Sequence, residues 1–217
     1  MFVGHYSISF AAKRANPTIP LWVLFLAVQL LDVGWSVFVL LGIEKVRIVP
    51  GITVANPLDL YYMPYTHSLV AALLWSGGAF VAYRLAVPRA SGAAPLLVAL
   101  AVFSHWILDF VVHRPDLPLF DNTAKVGLGL WNYPAFAFSL EGGILFLAMW
   151  LYFRVSGGRR GPIAMFALFM LGIQAYVFFG PLPISDHAAA ATALGAYALF
   201  AGVIWRLEHS RRISPVG

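Results

Sequence analysis

The sequence contains no cysteine. Disulfides and thiolate ligation are therefore excluded, and histidine, carboxylate and backbone oxygen are the only donors a metal could find here. Charge is scarce as well, at 11% of residues, against about 25% in an average soluble domain. The shortfall runs through the whole chain, so no separate soluble domain is expected. The basic residues come in ones, twos and threes, so the net charge of +5 forms no patch suited to nucleic acid. The segment Met1 to Ala12 has no basic stretch before it and Lys13-Arg14 after it, the reverse of a cleaved signal peptide. Neither an internal repeat nor a low-complexity tract is visible.

What is abundant is apolar surface: 61% of the 217 residues are hydrophobic and the mean hydropathy is +0.82. A span needs about 20 mostly apolar residues, and about six stretches qualify, near 20–42, 62–84, 95–113, 132–153, 161–180 and 187–206. The expected fold is all-α, a single polytopic transmembrane bundle over residues 1–217. With both termini cytoplasmic, Lys13, Arg14, Arg84, Arg89, Arg154, Arg159, Arg160, Arg206, Arg211 and Arg212 fall inside, and only Lys45, Arg47, Arg114 and Lys125 fall outside. That bias predicts an N-in, C-in topology, expected in a bacterial inner (cytoplasmic) membrane.

An ionisable side chain at the centre of a span costs at least about 2.5–3.5 kcal/mol, so each needs a partner or a task. Asp32 falls in the first span, His67 near the outer end of the second, His105, Asp109 and His113 along the third, and Glu141 in the fourth. At about 1.5 Å of rise per residue from the nearest inner landmark, Asp32, His105, Asp109 and Glu141 lie roughly 15 to 21 Å up, in one layer. His67, His113 and His187 come out higher, at about 25 to 28 Å. His5 reaches the layer if residues 2–12 form a short, re-entrant N-terminal helix rising from Lys13-Arg14.

His105, Asp109 and His113 follow one another at i+4 steps along a single stripe. Neighbours on such a stripe can grip one ion, whereas His105 and His113 are about 12 Å apart along the axis and are not expected to share one. A lone membrane histidine is commonly an interhelical hydrogen-bond partner, and a structural polar network is the bland reading of the set. Apart from Arg84 and Arg206 at the inner ends of their stretches, no Lys or Arg lies within the six spans to neutralise Asp32, Asp109 and Glu141, so a metal cation is the economical counterion. His209 belongs to the basic tail, and His187 reads as a cap beside Asp186. Tyr61, Tyr62, Tyr65, Trp131 and Tyr133 read as an interfacial belt.

Four segments, Gly4-His5-Tyr6-Ser7, Leu31-Asp32, Tyr65-Thr66-His67-Ser68-Leu69 and Ser104-His105-Trp106-Ile107-Leu108-Asp109, resemble in order and spacing the membrane-bound metal-dependent hydrolase family (YdjM-like). That family is distantly similar to zinc-dependent phospholipase C. The resemblance covers residues 4–121 and implies metal ligation by His5, Asp32, His67, His105 and Asp109. The chain departs from the family at Leu31 to Trp35, where a Pro-Asp-x-Asp-His run is common, and at His113, where the family has Thr or a similar residue.

The expected function is hydrolysis of a lipid-like ester, amide or phosphoester by a metal-activated water. The cofactor is one or two divalent ions, zinc first, with iron or manganese also compatible with nitrogen and oxygen donors. Glu141 is the candidate general base, or another ligand, and His113 a proton relay, a contact to a substrate oxygen or a ligand to a second ion. Arg114 and Tyr65 are candidates to contact an amphiphilic substrate at the outer boundary. The competing class is a proton-coupled or metal-ion transporter using the same His, Asp and Glu belt. Against it, a conduction path needs polar groups in both membrane halves, and the inner half is nearly bare. Alkaline ceramidase and receptor-type hydrolases share a histidine zinc site within seven helices, but this chain lacks their length and motif order.

Overall fold

The long apolar runs become long helices. In the computed structural model, which describes residues 1–156 and 160–209, α4 (Leu69–Ala86), α5 (Ala93–Val112), α6 (Pro134–Val155), α7 (Arg160–Phe179) and α8 (Asp186–His209) are each long and apolar enough to cross a membrane. They mark the chain as a helical integral membrane protein. Arg159, Arg211 and Arg212, counted above among the inner basic residues, lie outside the described residues.

The first expected span is broken. Residues 20–42 form α2 (Leu21–Val28) and α3 (Leu30–Leu40), bent by 53° at Gln29, whose φ of −108° and ψ of 7° leave the helical region. A straight helix would give the Val28 carbonyl to the N–H of Asp32. Here that carbonyl instead accepts a 2.7 Å hydrogen bond from His105 Nδ1 on α5.

The second span is shorter than the expected 62–84. Residues 42–68 leave the helical bundle as a two-stranded antiparallel ribbon, β1 (Lys45–Ile48) against β2 (Leu58–Tyr62), with Lys45 opposite Tyr62 and Ile48 opposite Leu58. Pro57 and Pro64 oppose a helix through this stretch, and α4 starts only after Ser68, whose Oγ accepts the Ala71 N–H. His67 therefore sits on the turn before α4, not within a helix. His113 likewise lies one residue past the end of α5.

The N-terminal segment packs inside the bundle. A 3-10 turn (Val3–His5) leads into α1 (Tyr6–Ala15), and Val3, His5, Tyr6 and Phe10 are almost wholly buried. Tyr6 packs tilted and Phe10 edge-on against Phe25 of α2, with ring centroids 4.6 and 5.7 Å apart. At the far end of α1, Lys13 Nζ donates to the Ile19 carbonyl and pairs with Glu208 at 3.2 Å. Asn16 bonds Ser91 at the start of α5. Segments expected on the inner side thus meet at one end of the bundle, and the ribbon occupies the other.

Candidate metal centre

Five elements deliver side chains to one buried point. The turn before α1 brings His5, α3 brings Asp32, the turn before α4 brings His67, α5 brings His105 and Asp109, and the end of α5 brings His113. The distances are uniform. His105 Nε2 lies 3.1 Å from Asp109 Oδ2 and 3.5 Å from Asp32 Oδ1, and His67 Nε2 lies 3.3 Å from Asp32 Oδ1 and 3.6 Å from Asp109 Oδ2. His113 Nε2 is 3.6 Å from Asp109 Oδ2, and His5 Nε2 is 3.2 Å from Asp109 Oδ1. The Met1 amino group also rests against Asp109 Oδ1. Asp109 stands between His105 and His113 on the stripe, and its Oδ2 touches both.

The Met1 amino group donates a hydrogen bond to Asp109 Oδ1, but the imidazoles of His105 and His5 stand differently. His105 Nε2 is fully buried and, despite two carboxylate oxygens within 3.5 Å, makes no hydrogen bond; both ring nitrogens of His5 are in the same state. Donors bound tetrahedrally to one ion at about 2.0–2.1 Å stand about 3.3–3.4 Å apart, so the observed spacing is that of ligands converging on a shared centre. Donor atoms of Asp32, His67 and His105, and of His5, His105 and Asp109, lie within 4.8 Å of one another in each set.

The three histidines on the far side of His5 are pinned in one tautomer. His105 Nδ1 faces the Val28 carbonyl, which can only accept. His67 Nδ1 lies 2.8 Å from Thr66 Oγ1, whose own proton goes to Glu44 Oε2 at 2.6 Å, so the imidazole donates. His113 Nδ1 lies 2.9 Å from Asp116 Oδ1. Each ring thus carries its proton on Nδ1 and turns the Nε2 lone pair to the cluster, the arrangement that outer hydrogen-bond partners impose on metal-binding imidazoles. Because Val28 O takes Nδ1, His105 has a single lone pair to offer and could ligate no more than one ion.

The outer partners are themselves fixed. Glu44 accepts from the Tyr65 and Thr66 backbone N–H groups as well as the Thr66 hydroxyl. Burial raises its carboxyl above the usual range, opposed by nearby His67 and by these hydrogen bonds. Trp106 Nε1 holds the His67 carbonyl at 3.0 Å, and Tyr197 donates to Asp32 Oδ2 at 2.8 Å. Removing the relay behind His67 by Thr66→Val or Glu44→Gln is expected to weaken metal binding by about 10- to 100-fold, read by competition with a chelator, and Thr66→Ser is expected to retain it.

A cavity of about 1120 Å³ ends on Asp32, His67, Asp109 and His113. Its other walls are mostly apolar and come largely from α7, α8 and the loop between the two strands. Trp131, assigned above to an interfacial belt, is instead buried against His113, with ring centroids 4.4 Å apart, and lines this cavity. Tyr61, Tyr65 and Tyr133 are exposed.

Other expected site residues stand elsewhere. Glu141 is buried on α6, where its Oε2 accepts the Phe2 and Gly4 backbone N–H groups at 2.8 and 3.2 Å, and it does not line the cavity. Arg114 pairs with Asp59 and Asp116, and Tyr65 borders a separate groove beside Trp75 and Phe120. His187 is exposed, and its Nδ1 lies 3.0 Å from Asp186 Oδ1.

Sequence reasoning missed Glu44, Thr66, Asp116 and Tyr197 as partners of the cluster. Asp116 carried a signal, three residues after His113, and Thr66 adjoins His67. Glu44 and Tyr197 carried none, since the fold alone brings them to Thr66 and Asp32. Comparison with known proteins finds no matching family model, no matching curated protein and no matching solved structure.

Proposed function

We propose that the protein is a membrane hydrolase using one divalent cation, held by Asp32, His67, His105 and Asp109. The observation that carries this is the fully buried, hydrogen-bond-free His105 Nε2 set 3.1 and 3.5 Å from two carboxylates at the end of a cavity. Nitrogen and oxygen donors in a four-ligand set suit zinc first. A bound divalent ion supplies an activated water and polarises the substrate oxygen. The motif resemblance to the membrane-bound metal-dependent hydrolases points the same way.

The remaining residues take distinct parts. His113 faces the cavity with a free Nε2 lone pair and is the general base and acid, taking a proton from the attacking water and returning it to the leaving atom. Asp116 orients it, and Arg114 and Asp59 hold Asp116 in place. His5 stacks on His105 with ring centroids 3.8 Å apart and braces the second oxygen of Asp109. Glu141 anchors the N-terminal turn that presents His5.

With both termini inside a bacterial inner membrane and six crossings, α2 and α3 counting as one, the cavity opens outward. Transport by the same cluster has less support, because the side chains between it and the inner end, Tyr6, Phe10, Leu24 and Phe25, are packed and largely apolar. Purified protein is expected to hold one equivalent of metal and to hydrolyse lipid-like substrates in a chelator-sensitive manner. Metal-free protein with full turnover, or chelator-sensitive ion flux in liposomes without hydrolysis, would overturn the assignment.

A further inference from the structure

We infer that the substrate is an uncharged amphiphile, a long-chain fatty acyl ester or amide, and not a phosphorylated lipid. This rests on the hydrolase reading and narrows it. Among the described residues no Lys or Arg lines the cavity. Of the four basic residues expected on the outer side, none lines the cavity and three are committed elsewhere: Arg47 to Asp59 at 2.6 Å, Arg114 to Asp59 and Asp116, and Lys125 to the Tyr61 carbonyl at 2.9 Å. The Met1 amino group reaches the cavity but is held by Asp109.

Charge then decides the headgroup. Asp32 and Asp109 already balance a divalent ion, so a phosphate would bring further negative charge between two carboxylates in a site shielded from water. Phosphate sites meet that cost with Arg or Lys, which give charge-assisted hydrogen bonds. A neutral carbonyl meets no such penalty. The polar side chains along the cavity away from the cluster, Thr53, Asn56, Tyr176 and Thr192, are uncharged; Thr53 Oγ1 and Asn56 Oδ1 are engaged within their own loop, and Tyr176 and Thr192 suit a hydroxyl or amide headgroup.

The rest of the cavity suits one apolar chain. Ala189, Ala193 and Ala196 of α8 face Ile173 and Val177 of α7 across it, and the small side chains leave the space that larger ones would fill. The chemistry balances with water as the only co-reactant. Water oxygen bonds to the acyl carbon, and the bond from that carbon to the alkoxy oxygen or amide nitrogen breaks with its electron pair. The proton taken at His113 Nε2 passes to the leaving atom, giving a fatty acid and an alcohol or amine.

The test uses the full chain, metal-loaded in nanodiscs, with 1-oleoylglycerol and its 3-phosphate, which differ only in the phosphate. Release of oleate and of inorganic phosphate are both read, and p-nitrophenyl phosphate serves as a soluble phosphoester probe. The expected result is a kcat/KM for oleate release about 100-fold or more higher on the neutral ester, with no phosphate release. Equal rates on the two esters, or phosphate release from either phosphorylated compound without oleate release from the neutral one, would overturn the inference and leave the hydrolase standing. No turnover of any of the three by metal-loaded protein would overturn both.

Discussion

Asp109→Ala is expected to leave the purified protein without stoichiometric metal and without measurable hydrolysis. One oxygen of this carboxylate lies within 3.6 Å of three imidazole nitrogens, and the other meets His5 and the Met1 amino group. No other side chain touches so much of the cluster. Removing it takes away a ligand and also one of the two negative charges that would balance a divalent ion, so the loss of metal affinity should exceed the roughly 10- to 100-fold that follows removal of an outer partner. Asp109→Asn separates these effects, because it keeps the shape and one acceptor while removing the charge. Metal content by elemental analysis, with the helical circular dichroism signal as the check on folding, reads the outcome. A folded Asp109→Ala protein with one equivalent of metal and normal turnover would show that the cluster is a structural polar network.

Much of this cluster was legible in the sequence because membrane burial makes charge expensive. In a soluble protein Asp32, His67, His105 and Asp109 would be four polar residues among dozens. In apolar runs they stand out, and i+4 spacing with a common depth places two of them side by side. The rise per residue is a property of regular helices, and it failed where the chain is irregular. His67 precedes α4 on a turn that a two-stranded ribbon determines, so its height is set by Glu44 and Thr66 and not by counting from a helix end. Glu141 shows the converse error. Its depth was read correctly as close to the cluster, but depth does not give azimuth, and its carboxylate turns to the N-terminal backbone.

The break at Gln29 was invisible in composition, since residues 20–42 are apolar enough for one continuous span. It matters because a continuous helix would consume the Val28 carbonyl and leave His105 Nδ1 without a partner. A locally weaker helix is thus exchanged for a fixed tautomer at the centre of the cluster. The same logic relates the inner end, where Lys13 and Glu208 tie α1 to α8, to the outer end, where Arg114 ties the loop after α5 to β2. Both ends are fastened by ion pairs, whereas Asp32 and Glu141 in the layer between them pair with no Lys or Arg among the described residues.

His113→Ala is expected to separate chemistry from metal binding. Of the histidines that touch Asp109, namely His5, His67, His105 and His113, His113 alone stands outside both groups of mutually close donors, so its removal should leave the metal in place. Its Nε2 faces the cavity and its Nδ1 is tied to buried Asp116, which is the geometry of an oriented base. Loss of general acid and base catalysis lowers kcat by about 10²- to 10⁴-fold. Asp116→Asn should fall less far, because the ring remains but the partner that fixes its tautomer no longer carries charge. The cavity reaches His113, so added imidazole is expected to restore part of the His113→Ala turnover and none of the Asp109→Ala turnover. Metal loss in His113→Ala equal to that in Asp109→Ala would make His113 a ligand, and an unchanged kcat would remove it from the chemistry.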